Sequence, residues 1–139
     1  MKVVVDWDGG MAFAARGDSG HTVMMDASPD VGGQDRGSRP MEMLLMGLGG
    51  CSSIDVMMML NKSRQDVTDC RAVVEAERAD AVPAVFTRIH VHFIVSGRGI
   101  SEKHVDRAVK LSAEKYCSAS IMLAQVAEVT HSYEVVDAD

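Results

Sequence analysis

Cys51 closes the run Met43-Leu44-Leu45-Met46-Gly47-Leu48-Gly49-Gly50-Cys51, and Cys117 follows Glu114-Lys115-Tyr116 at a break between two helical patterns. The thiols lie 66 residues apart (117 − 51). They are either two inert packing residues or a nucleophile and its resolving partner. Reactivity requires the thiolate, and an apolar helix disfavours it by desolvation. Bringing a thiol from about 8.5 to below 7 takes about 2 kcal/mol of preferential thiolate stabilisation, which one well-placed Arg can supply in a partly dry site. The helix dipole offers Cys51 little, because its effect fades after the first turn and Cys51 sits about three turns in.

Cys117 differs in kind. It directly precedes Ser118-Ala119, so the N–H groups of a following helix can face its sulfur. The alternative is a small residue filling a helix-helix corner. Cys70, opening a strand between Asp69 and Arg71, reads as structural. Asp55 stands at i+4 from Cys51, where a carboxylate opposes thiolate formation unless it takes a polar partner. His90 and His92 share a strand face at ligand-like spacing, but no third or fourth ligand accompanies them, so no metal or other cofactor is expected. Met57-Met58-Met59, with Met41, Met43 and Met46, give the long helix a soft apolar lining. As a pocket wall this suits an aliphatic substrate better than a sugar or nucleotide.

The elements that must position these residues follow from periodicity. Val3 to Trp7, Met11 to Ala15 and His21 to Met25 read as a three-strand meander punctuated by Gly9-Gly10 and Asp18-Ser19-Gly20. Ser28 to Arg39 reads as a mobile surface loop. Pro40 fits the first helical position, and a helix continues from Met41 to about Lys62. Gly47, Gly49 and Gly50 each cost about 1 kcal/mol relative to Ala there, which close approach of another backbone would offset. Cys70 to Arg78 and Thr87 to Val95 alternate as an antiparallel pair joined around Pro83. Ser101 can cap a helix leading to Tyr116, Ser118 can cap a second running to about Val126, and Val129 to Val136 closes the chain as a strand. The order βββ-α-ββ-αα-β is an α+β fold, without the βαβ alternation of a dinucleotide domain.

The bulk composition narrows the partners. At 139 residues one domain, 1–139, is expected. A net charge of −6 with dispersed Lys and Arg argues against nucleic acid. Met1-Lys2-Val3-Val4-Val5-Asp6 becomes charged too early for a signal peptide, so a cytoplasmic location is expected. Three cysteines at wide spacings fit neither a disulfide scaffold nor a Cys-x-x-Cys zinc site. The apolar segment Met41 to Leu60 carries Glu42 and Asp55 and reads as a buried helix, with no membrane partner expected.

The stretch Pro40-Met41-Glu42-Met43-Leu44-Leu45-Met46-Gly47-Leu48-Gly49-Gly50-Cys51-Ser52-Ser53-Ile54-Asp55-Val56 resembles the Pro-initiated, Leu-containing Gly-Cys helix of the OsmC/Ohr superfamily, the osmotically inducible and organic-hydroperoxide-resistance proteins. Leu111-Ser112-Ala113-Glu114-Lys115-Tyr116-Cys117-Ser118 resembles its second cysteine motif, and with Thr130-His131-Ser132-Tyr133-Glu134-Val135 the similarity is greatest to the YhfA-like branch. The resemblance implies an OsmC-like fold with antiparallel sheets around a long central helix, in an intertwined homodimer. It implies a thiol peroxidase acting on organic hydroperoxides in oxidative stress defence. Cys51 would become a sulfenic acid, Cys117 would condense with it to a disulfide, and a dithiol reductant would reset the pair.

Glu42 and Arg39 are the remaining candidate catalytic residues by this resemblance. The family's Glu directly follows Pro, a position held here by Met41, and Arg39 takes the place of a small capping residue; Arg16 and Arg36 are the other candidates for the activating cation. Glu42 and Cys51, nine residues apart, lie roughly 13 Å apart on opposite faces of one helix, so a Glu42 contribution to a Cys51 site would come from a second chain. The competing reading is a non-catalytic small-molecule or thiol-binding protein that keeps the cysteines without an efficient Arg/Glu pair.

Overall fold

Short turns with glycines at positive φ shape the beginning of the chain. A computed structural model describes residues 1–138 in two compact units, the first ending at Leu45 and the second beginning at Met46. In the first, β1 (Val3–Trp7), β2 (Phe13–Gly17) and β3 (Thr22–Met25) form an antiparallel sheet in the order β1-β2-β3. The meander follows the expected pattern, with β2 shifted two residues later because Gly9 and Gly10, both at positive φ, belong to a wider turn.

The segment expected to be mobile is instead tied down. Asp26 is buried, and its carboxylate accepts hydrogen bonds from the backbone N–H groups of Ala27 (2.8 Å), Gln34 (2.9 Å) and Arg36 (3.2 Å). These bonds hold its carboxyl below the usual carboxylate range, the Gln34 N–H most of all. Gly33 and Gly37 let the loop fold onto its own base: a Cβ on Gly33 would stand 1.6 Å from the Ala27 carbonyl oxygen, and one on Gly37 would stand 2.3 Å from that of Met24.

The long helix α1 (Pro40–Lys62) begins and ends where the sequence places it. Pro40 occupies the first helical position, and the Glu42 carboxylate reaches back to accept the backbone N–H of Arg39 at 2.8 Å, one half of a capping box. The helix is long and apolar enough to cross a membrane by length and composition. Its row Leu48, Ser52, Val56 and Leu60, repeating every four residues, is nevertheless buried inside the protein, as in a core helix.

The second unit holds most of α1 and a sheet in the order β4-β5-β6, from β4 (Asp66–Arg78), β5 (Phe86–Arg98) and β6 (Glu128–Asp137). β4 and β5 pair antiparallel, whereas β5 and β6 run parallel, so this sheet is mixed and departs there from the expected antiparallel pairing. Parallel pairing requires a crossover. It is supplied by α2 (Glu102–Leu111), a five-residue π-helical turn (Ser112–Tyr116) and α3 (Ser118–Leu123). Ile89, Val91, Phe93 and Val95 of β5 are buried together with Leu48, Val56 and Leu60 of α1 and Val105, Ala108 and Val109 of α2. These apolar side chains make the core of the unit.

Of the three helix glycines, only Gly49 has a close neighbour, and it is a side chain rather than a backbone: a Cβ there would meet Val74 Cγ2 at 3.2 Å. Around Gly47 and Gly50 nothing lies within 4 Å.

Candidate active site

Cys51 is half-buried on α1, and Cys117 is fully buried at the start of α3. The fold brings them together: the two sulfurs and a carboxylate oxygen of Asp55 all lie within 4.8 Å of one another. Cys70, on β4, is outside this group; burial and the adjacent Asp69 both push its thiol up.

The expected run of helix from Ser101 to Tyr116 is interrupted, and the interruption aims Cys117. Ser101 precedes α2 without any side-chain cap hydrogen bond. After Leu111 the backbone widens into the π turn, so that the Cys117 N–H donates to the Ser112 carbonyl five residues back, at 2.8 Å. The cap of α3 is then Cys117 itself rather than Ser118: its sulfur accepts the Ser120 N–H at 3.3 Å. α3 stops at Leu123, short of the expected Val126.

Three serines organise the site, and none of them stood out in the sequence. Ser52 Oγ lies 3.2 Å from Cys117 Sγ. Ser112 Oγ donates to Asp55 at 3.2 Å and points toward the Ser52 carbonyl at 3.4 Å. Burial pushes the Cys117 thiol up; the Ser52 hydroxyl and Ser120 N–H pull it partly back, and the neighbouring Cys51 adds to the rise. One signal was available for Ser52. It is the polar member of the buried every-fourth row on α1, and a hydroxyl there needs a partner.

Beside Asp55 opens a cleft of about 530 Å³. Met58, Met59, Ala108 and Leu111 form its apolar wall, while Lys62, His104 and Arg107 bring positive or titratable groups to it. Two of the methionines singled out in the sequence therefore do line a cavity.

Arg39 and Glu42 sit in the first unit, at the start of α1. The Arg39 guanidinium pairs with Asp35 (3.1 Å) and the Gly37 carbonyl (3.1 Å), while Glu42 caps the helix. Arg36 pairs with Asp8, and Arg16 lies 3.9 Å from Asp6. All three candidate arginines thus have carboxylate partners within their own unit. His90 and His92 both bond Ser132 Oγ at 2.7 Å, and His90 also meets Thr130 Oγ1 at 2.7 Å. These rings are held by hydroxyls.

The sequence model of the OsmC-like protein family matches residues 32–132. The chain belongs to the OsmC-like family. This OsmC-like protein is 48% identical over 138 residues to Protein YhfA of Escherichia coli K12, across 99% of this chain and 100% of that protein. The crystal structure of a hypothetical protein from Aquifex aeolicus VF5 superposes with a TM-score of 0.88 at 28% identity, covering 99% of this chain and 97% of that one. A structure from Legionella pneumophila, described as an organic hydroperoxide resistance protein OsmC, shares the fold with a TM-score of 0.71 at 15% identity, covering 96% and 97% of the two chains.

Proposed function

We propose that the protein is a thiol-dependent peroxidase that reduces organic hydroperoxides. The observation that carries this reading is the juxtaposition of a half-buried Cys51 sulfur and a buried Cys117 sulfur within 4.8 Å. Their burial supports an assignment of roles. Cys51 is within reach of a substrate, whereas Cys117 is enclosed and its thiol is pushed up by that enclosure, which suits a resolving thiol better than a first nucleophile.

In the proposed cycle the Cys51 thiolate attacks the distal peroxide oxygen. The O–O bond breaks, the alkoxide takes a proton from solvent and leaves as the alcohol, and Cys51 becomes a sulfenic acid. The Cys117 thiol then condenses with it, forming the disulfide and releasing water. A dithiol reductant reduces this bond by thiol-disulfide exchange and is itself oxidised. The cleft beside Asp55 is lined by neither cysteine, but its methionine wall would suit the tail of an organic peroxide, since each buried methylene contributes about 0.8 kcal/mol. The description of the Legionella pneumophila protein, of the same fold, agrees with this substrate class.

The protein would act in the cytoplasm as one OsmC-like domain spanning residues 1–139 and as a homodimer. On α1, Leu44 (50% exposed), Met46 (52%), Ile54 (63%) and Met58 (65%) leave an apolar surface that a second copy would cover. A single observation favours the non-catalytic alternative: the Asp55 carboxylate stands beside the sulfurs, where it opposes a thiolate, while Arg39 and Glu42 are engaged at the helix start.

Steady-state rates with a dithiol reductant test the reading. Cumene and tert-butyl hydroperoxide should turn over tenfold or more faster than hydrogen peroxide, and Cys51→Ser should abolish turnover. Undiminished turnover in Cys51→Ser, or equal rates for all three oxidants, would overturn it.

A further inference from the structure

We propose that Cys51, Asp55 and Cys117 form a binding site for a thiophilic divalent cation of the zinc type. The three ligand atoms already lie within 4.8 Å of one another, so small movements of the side chains would close them on one ion. Cys51 and Asp55 are one helical turn apart on α1, the i, i+4 spacing that sets two ligands on the same helix face. Cys117 enters from the crossover between the parallel strands.

Two of the three ligands carry the supporting hydrogen bonds that orient metal ligands. Ser52 Oγ (3.2 Å) and the Ser120 N–H (3.3 Å) bond the Cys117 sulfur, and Ser112 Oγ (3.2 Å) bonds the Asp55 carboxylate. The site also gives Asp55 a reason to be where it is. A carboxylate beside two thiols hinders an anionic nucleophile, but it complements a cation and completes a ligand set of two sulfurs and one oxygen. Such a set favours zinc over magnesium or calcium and leaves a fourth tetrahedral position open.

Binding replaces the S–H protons of both thiols by sulfur–metal bonds and releases two protons per ion, with no change of oxidation state. A Cys51–Cys117 disulfide would remove both sulfur ligands, so the site exists only in the reduced protein. The inference does not rest on peroxide turnover: a protein inert toward peroxides would still carry it.

The test uses the reduced full-length protein, with zinc titrated against a chromophoric chelator and cobalt(II) as an optical probe. One ion per chain is expected, with a sulfur-to-cobalt charge-transfer band and slower alkylation of Cys51 in the presence of zinc. Asp55→Asn, which preserves side-chain shape, and Cys117→Ser should each weaken binding by about tenfold or more. Absence of saturable binding would overturn the proposal. So would binding unchanged in both variants, or binding lost in His90→Ala/His92→Ala in their place.

Discussion

Ser52 sets its hydroxyl 3.2 Å from the sulfur of Cys117, 65 residues away in sequence, and does so from the position next to Cys51. One turn of helix thus carries both a candidate nucleophile and a group that tunes its partner. The hydroxyl favours the Cys117 thiolate against the burial that disfavours it. Ser52→Ala should therefore slow the attack of Cys117 on a Cys51 sulfenic acid. A hydrogen bond of about 1 kcal/mol corresponds to about fivefold in rate. Stopped-flow measurement of disulfide formation after one equivalent of peroxide checks this, with increased sulfinic acid at Cys51 as the accompanying sign.

Mild peroxide should produce a Cys51–Cys117 disulfide in the wild type and a trapped sulfenic acid in Cys117→Ser. Peptide mapping reads both. The buried thiol of Cys117 should also resist alkylation under native conditions while Cys51 reacts. A dominant bridge to Cys70, whose thiol is pushed up by burial and by Asp69, would contradict the pairing.

Gly47 and Gly50 occupy helix positions where Ala is worth about 1 kcal/mol more, yet nothing within 4 Å of either excludes a methyl group. A second chain approaching α1 closely would account for both. Gly47→Ala and Gly50→Ala should then raise the dimer dissociation constant in sedimentation experiments. A higher Tm with unchanged assembly would instead show that these positions stay open.

His131 supplies a pH test. Its Nε2 is buried without a hydrogen-bond partner among the described residues, and burial, then the nearby His90, holds the ring's pKa below the ordinary histidine value. The unfolded chain takes up this proton near pH 6.5, whereas the folded protein resists it to lower pH. Stability is therefore full above about pH 6.5 and declines as pH falls below it. Thermal melts between about pH 7.5 and pH 5 should show this decline in the wild type and a flatter profile in His131→Phe.

The parts of the fold legible in the sequence were those written in punctuation and period. Pro40 and the largely apolar run that follows it gave both ends of α1, and strict alternation from Ile89 to Val95 gave the buried face of β5. The Ser120 N–H facing the Cys117 sulfur was also foreseeable, because a helix had to start there. The π turn was not, since Val105, Ala108, Val109 and Ser112 keep ordinary helical spacing up to the residue where the backbone widens. The loop after β3 looked mobile because its composition is polar. Its order comes from one buried carboxylate, Asp26, which gathers backbone donors eight and ten residues away. The parallel β5/β6 pairing is likewise a property of the crossover, which no local pattern in β6 reveals.

The π turn gives the thiol pair a tolerance of length at one place only. The Cys117 N–H donates to the Ser112 carbonyl five residues back, so deleting one codon between Ala113 and Lys115 would close the turn to ordinary α-helical winding with the same donor and acceptor still paired. The same loss inside α2, where the winding is already regular, would turn Val105 and the residues before it by about 100° relative to Cys117. Both cysteines survive either deletion in the sequence, yet only the first leaves the packing that brings them together in phase.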